Sequence, residues 1–427
     1  LKQCKSTFAP RTQITSRNHY TTTLALKLTL KKLGPGFLFA GAAIGVSHLV
    51  QSTRAGADFG FGLLWALLLI NAVKYPFFEF GPRYAAATGE SLLQGYYKIG
   101  KSVVVAYFIL TLATMFTIQT AVTIVTAGIA MFLFGSGSIV LWTAIITAIC
   151  FCILIIGRFK FLDILMKAIV ICLTVSTIVA VGLALPENPI DLSQSFPIEA
   201  ASVAFLIAFM GWMPAPLDIS IWQSIWTVEK KKLDPTITPK NSRFDFNVGY
   251  ITTIILAIGF LALGALVMYH SGESFSNKGD VFANQLISMY TSSLGEGAMI
   301  IIAIAAFTTM LSTTLTTLDG SPRVMKSSSE LITGKSYKRG YLFWLLILIG
   351  GTLSIFFFLL SEMKTLIDIA TILSFITAPF YAIFNYKVVT SKHTPESARP
   401  SKLMKTYSLI SISILVVFSG WYLTTLL

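Results

Sequence analysis

Two short stretches of this sequence hold most of the groups that could bind an ion or small solute away from water. The first, residues 34–48, runs through Gly34, Pro35, Gly36 and Gly41 to Gly45, Ser47 and His48. The second, residues 208–218, contains Met210, Gly211, Met213, Pro214, Pro216 and Asp218. An imidazole, two thioethers and a carboxylate together suit a transition-metal ion over Mg2+. The hydroxyls of Ser47 and Thr377, with Trp212, Trp222 and the positive ends of helices, suit instead a solute carrying a carboxylate. Each group also has a plainer reading: His48 as a hydrogen-bonded interior histidine, the tryptophans as packing or interfacial anchors. Asp218 lies five residues beyond Met213, about 140° round a helix from it, which suits an exit path as well as a site. No hydrolytic triad, nucleotide-binding loop or zinc-spaced histidine pair occurs, so a primary pump or membrane enzyme has no support.

The elements that carry these residues follow from composition. Of 427 residues, 55% are hydrophobic and 12% charged, and the mean hydropathy is +0.75. A soluble domain has about twice that charged fraction. Apolar runs near the ~20 residues that cross a bilayer as a helix recur along the chain, and the alternating pattern of a membrane barrel is absent. Eleven spans are predicted, at residues 35–54, 60–82, 103–127, 138–157, 163–185, 199–226, 247–270, 296–318, 340–360, 365–388 and 404–426. The two chemistry-bearing stretches interrupt spans one and six. Matched interruptions five spans apart predict two inverted five-helix repeats, at about 34–185 and 199–388, with an extra helix at 404–426 and a site between the breaks.

Lys plus Arg number 32 against 19 acidic residues. All but Arg54, Lys74, Lys278 and Lys364 fall in the N-terminal tail, in alternate loops or in the span ends that border those loops, which places the N-terminus in the cytoplasm and the C-terminus outside, in a plasma or inner membrane. The basic excess is therefore topological, with lipid headgroups as partner and no nucleic acid. Residues 1–33, with no acidic group, are read as a disordered basic tail, an organellar presequence being the other reading, and residues 34–427 as the transporter domain. Lys74 and Glu79 are expected to neutralise one another, and the hydroxyls of residues 308–317 to bond back to their own helix.

From Gly34-Pro35-Gly36 onward the chain resembles the Nramp divalent-metal transporters. Gln51 to Gly56, Ala57-Asp58-Phe59-Gly60-Phe61-Gly62-Leu63-Leu64-Trp65, Ala87-Thr88-Gly89-Glu90-Ser91-Leu92, Met213-Pro214 and Ala378-Pro379-Phe380 follow the family's order. The resemblance implies an all-α leucine-transporter-type bundle with helices 1 and 6 broken, and secondary transport without enzymatic activity or a resident cofactor. It also implies a metal ion as cargo. Three departures fall on the chemistry. Where the family has Asp-Pro-Gly-Asn, this chain has Gly45-Val46-Ser47-His48; where it has Met-Pro-His, Ala215 follows Met213-Pro214; and residues 113–122 carry no acidic group. Weak dependence on a proton gradient is expected on that account. The binding residues expected are Gly45, Ser47, His48, Met210, Met213, Asp218 and Thr377. The cargo expected is a divalent transition metal such as Mn or Fe, with a small organic or anionic solute as the alternative.

Overall fold

A computed structural model describes residues 34–135, 137–156, 159–186, 190–192, 199–269, 275–276, 278–359 and 363–425. The basic tail and its alternative reading lie outside the described residues. Every regular element among those described is helical, as hydrocarbon requires of segments that must pair their own backbone groups.

Span one consists of α1 (Pro35–Ala43), a π-helical turn (Ser47–Ser52) and α2 (Thr53–Phe59). Pro35 opens α1, where its missing N–H costs nothing. Span two is α3 (Leu64–Thr88), closed by Gly89 in the left-handed region at φ 76°. Spans three to five are α5 (Lys101–Phe134), α6 (Ile139–Ile156) and α7 (Phe159–Ala184), with the short α4 (Leu92–Ile99) before them. Span six is split into α8 (Ala200–Trp212) and α9 (Ile219–Leu233). Spans seven to eleven are α10 (Pro239–Leu263), α12 (Met299–Thr333), α13 (Gly340–Ser354), α14 (Met363–Thr390) and α15 (Lys402–Thr425), with α11 (Gly279–Leu294) between seven and eight.

Helices lie at all eleven expected positions, seven of those described being long and apolar enough to cross a membrane, and two further helices join them. The first, α4, is too short to cross a bilayer and starts at a capping box, in which the Ser91 hydroxyl accepts from the Gln94 N–H and the Gln94 side chain accepts from the Ser91 N–H. Span eight runs past residue 318, where the sequence reading ended it. Asp319 pairs there with Arg323 one turn on at 2.6 Å and accepts from the Tyr341 hydroxyl at 2.8 Å, so the charges do not stop the helix.

Span one packs along span seven through glycine. A Cβ on Gly36 would lie 2.0 Å from the Asp245 carbonyl oxygen, and one on Gly249 would lie 2.1 Å from that of Gly36. Only the absence of side chains permits such an approach. The Asp245 carboxylate then accepts from the Gly34 and Gly36 N–H groups, both at 2.8 Å, and caps α1 from 209 or more residues away. Asp245→Ala is therefore expected to cost about 1–2 kcal/mol, read as a lower unfolding midpoint in detergent, with Asp245→Asn recovering part of the loss.

Candidate functional site

Span six breaks because residues 214 and 216 are prolines. In a continuous helix the N–H of residue 214 would bond the Met210 carbonyl, and proline has none to give. Residues 213–218 leave the helical path, and the carbonyls freed at the break turn inward. The Lys74 ammonium, on α3 and fully buried, takes them. It donates to the carbonyls of Met210 at 2.9 Å, Gly211 at 2.6 Å and Ala215 at 3.2 Å. All three ammonium hydrogens are thereby used.

This corrects the expected Lys74–Glu79 pair. Five residues apart on one helix, the two side chains point about 140° apart. Glu79 instead binds Arg83 at 2.8 Å and lies 3.5 Å from Arg243, near the end of the bundle where α3 and α10 carry their basic residues.

The span-one break is satisfied from within in the same way. The Ser47 hydroxyl lies 2.6 Å from the Ala43 carbonyl, and the Thr313 hydroxyl of α12 lies 3.1 Å from that of Ile44. Gly45 sits against Thr313 so closely that a Cβ would fall 2.6 Å from its Oγ1 and 2.7 Å from its Cγ2. His48 is occupied on both sides. Its Nε2–H donates to the Thr253 carbonyl on α10 at 3.0 Å, and its Nδ1 lies 2.7 Å from the Ser47 hydroxyl, whose single hydrogen is shared between Nδ1 and the Ala43 carbonyl. Met213 directs its sulfur to the Ser52 hydroxyl at 3.7 Å.

Between the breaks lies a small cavity of about 20 Å³, lined among others by Ser47, Trp212, Asp218, Trp222, Thr313 and Thr317. That is room for little more than a water-sized occupant. Of the seven residues expected at the site, Ser47 and Asp218 line this cavity. Gly45, His48, Met210 and Met213 surround it without facing it, and Thr377 bonds back along α14 to the Leu373 carbonyl at 3.0 Å. Two polar atoms are buried with no hydrogen-bond partner there: Asp218 Oδ1, a carboxylate acceptor, and Trp222 Nε1–H, a donor. Among the described residues no three His, Cys, Asp or Glu side chains converge as a metal site would need. The sequence reading missed Lys74 and Thr313 as break-fillers. The signal for Lys74 was present, since a lone lysine deep in an apolar span is costly unless it serves a site. Thr313 lay hidden in a run of hydroxyl residues. Thr308 and Thr309 do bond back to their own helix, as expected, but Thr313 and Thr317 also reach across, Thr317 to Gln119 at 2.7 Å.

Two broken helices facing each other across a bundle of spans match a known family on comparison. The profile of the Nramp family, natural resistance-associated macrophage protein-like, matches residues 36–425. This chain belongs to the Nramp family. An uncharacterised protein of Pasteurella multocida is 38% identical over 366 residues, 84% of each chain. The manganese transporter of Eremococcus coleocola superposes with a TM-score of 0.71 at 15% identity, over 92% of this chain and 86% of that one. The transporter MhsT, solved with L-phenylalanine, gives 0.60 at 16% identity over 90% and 98%. At such identities the structures speak for fold alone. This Nramp-family protein is thus an all-α, multi-pass membrane transporter of the leucine-transporter type and not an enzyme.

Proposed function

We propose that this Nramp-family transporter works by alternating access and carries a small organic solute in place of a bare divalent cation. The solute offers an amino or other N–H group to Asp218 Oδ1 and an acceptor, such as a carboxylate, to the Trp222 indole N–H. The observation that carries this reading is Lys74 on the span-six carbonyls. A dication needs oxygen ligands and negative charge, and each buried ion left uncompensated costs several kcal/mol. Here the carbonyls are already bonded, one carboxylate faces the cavity, and a fixed ammonium stands behind the break. The small volume of the cavity is the lesser objection, because half-helices that move apart enlarge a cavity, whereas no such movement supplies a missing charge. The distribution of Lys and Arg supports a cytoplasmic N-terminus and an outer C-terminus in the plasma membrane.

One feature favours the metal reading. The free Asp218 oxygen, with the hydroxyls of Ser47, Thr313 and Thr317, surrounds a space of ionic size. Uptake by the purified protein in liposomes separates the two, with Mn2+, Fe2+, Cd2+ and Mg2+ offered first and amino and organic acids second. Accumulation of an amino or organic acid, with no metal uptake, is expected. Mn2+ accumulation that Asp218→Asn abolishes would establish the metal as cargo.

A further inference from the structure

The Lys74 contacts carry an inference beyond the identity of the cargo. Three carbonyls released by one helix break converge on one point, and the group at that point is a cation. Unwound backbone at such a break presents carbonyl dipoles that a dissolved cation commonly neutralises in broken-helix transporters. In this protein the cation is covalently part of span two. We propose that the Lys74 ammonium is a tethered substitute for a dissolved ion: it fills the carbonyl seat of span six, so this seat needs no alkali or divalent cation for the broken span to keep its place in the fold.

The geometry supports a cation seat over a merely structural hydrogen bond in two ways. A neutral amine, amide or hydroxyl has at most two donors, whereas an ammonium can give one hydrogen to each of three carbonyls. The seat is also fully buried, with Lys74, Met210 and Ala215 all at 0% exposure. The three acceptors lie on both sides of the helix break, Met210 and Gly211 in α8 and Ala215 in the unwound segment. The ammonium thus holds the end of α8 and the linker to α3 together. It does so 136 to 141 residues away in sequence.

Chemical rescue tests this. Lys74→Ala removes the ammonium and its stem, leaving a space shaped for n-butylammonium. Purified Lys74→Ala protein should unfold at a lower temperature than wild type, and millimolar n-butylammonium should raise its midpoint by roughly 2 °C or more. 1-Butanol, of like shape without the charge, should not, and wild type should respond to neither. Equal responses of the variant to both compounds, or none to either, would overturn the proposal. Should Lys74→Ala not fold, Lys74→Met keeps the stem and vacates the carbonyls, and its midpoint should then rise with K+, Na+ or Mn2+. A Lys74→Met midpoint indifferent to all three would sink the idea. Wild type itself must be indifferent to K+ and Na+, and a shift of about 2 °C between N-methylglucamine and either of them would also overturn it. The inference rests on the charge argument made for the cargo, but the experiments fail separately. Butylammonium binding reads the seat whatever is carried, and the uptake panel reads the cargo whatever fills the seat.

Discussion

Asp218→Asn should lower uptake by about 100-fold and leave the protein folded. Asp218 Oδ1 is the one carboxylate oxygen facing the cavity without a partner. A charge-assisted hydrogen bond from it to a desolvated cargo group is worth roughly 3 kcal/mol, and each 1.4 kcal/mol is about tenfold. Asparagine keeps the size and one acceptor oxygen, so packing against Ile219 and Trp222 is unchanged and the loss is electrostatic. Two stability effects oppose one another in this variant. Removing a buried charge relieves desolvation, and removing a negative charge from a site that also holds a buried ammonium takes away compensation. The Lys74 hydrogens stay bonded to three carbonyls in either case, so the unfolding midpoint should move little while uptake collapses. Uptake within threefold of wild type would show that the cargo does not touch Asp218.

Gly45→Asp, which restores the family's acidic residue to span one, should destabilise the protein by about 2–4 kcal/mol and confer no metal binding. The new Cβ would stand 2.6 Å from Thr313 Oγ1, and any retreat by Thr313 frees the Ile44 carbonyl that it caps at 3.1 Å. Overpacking and an orphaned carbonyl each cost about 1–3 kcal/mol. Gly45→Asp with Thr313→Ala should regain only the part of the lost midpoint that the clash with Oγ1 and Cγ2 causes, because the Ile44 carbonyl stays uncapped. Neither variant should give heat with millimolar Mn2+ in calorimetry, because Lys74 still holds the span-six carbonyls. A Gly45→Asp protein as stable as wild type that binds Mn2+ would refute both the steric and the electrostatic argument.

The two predictions share a cause. At this site the backbone groups freed by the two breaks are bonded by side chains of the same chain. Substitutions therefore act through those side chains as much as through any cargo. Restoring a ligand by sequence alone does not restore a site whose remaining ligands are engaged.

How far this was legible differs from residue to residue. That span six breaks at Met213–Asp218 follows from two prolines that lack an N–H, and that span one breaks near Gly45 follows from glycines and polar residues amid apolar ones. Both are local properties of the chain. The lengths of the spans and their inverted halves were equally readable, since hydropathy over about 20 residues is also local. The ends were less so. Span eight outran its expected end because Asp319 pairs with Arg323, and whether a charge terminates a helix depends on what it meets.

The amino-acid sequence by itself determined an eleven-span bundle with two broken helices facing one another, because bilayer solvation acts on each segment separately. Tertiary structure alone decided the chemistry of the site. Lys74 meets Met210 across 136 residues, His48 meets Thr253 across 205 and Thr313 meets Ile44 across 269. A hydropathy pattern cannot rank such partners. Only packing brings them within hydrogen-bond reach, and that packing turned His48 and Met213 from candidate ligands into bonded neighbours of the cavity. It also took Lys74 from an expected partner of Glu79 to the cation on the span-six carbonyls.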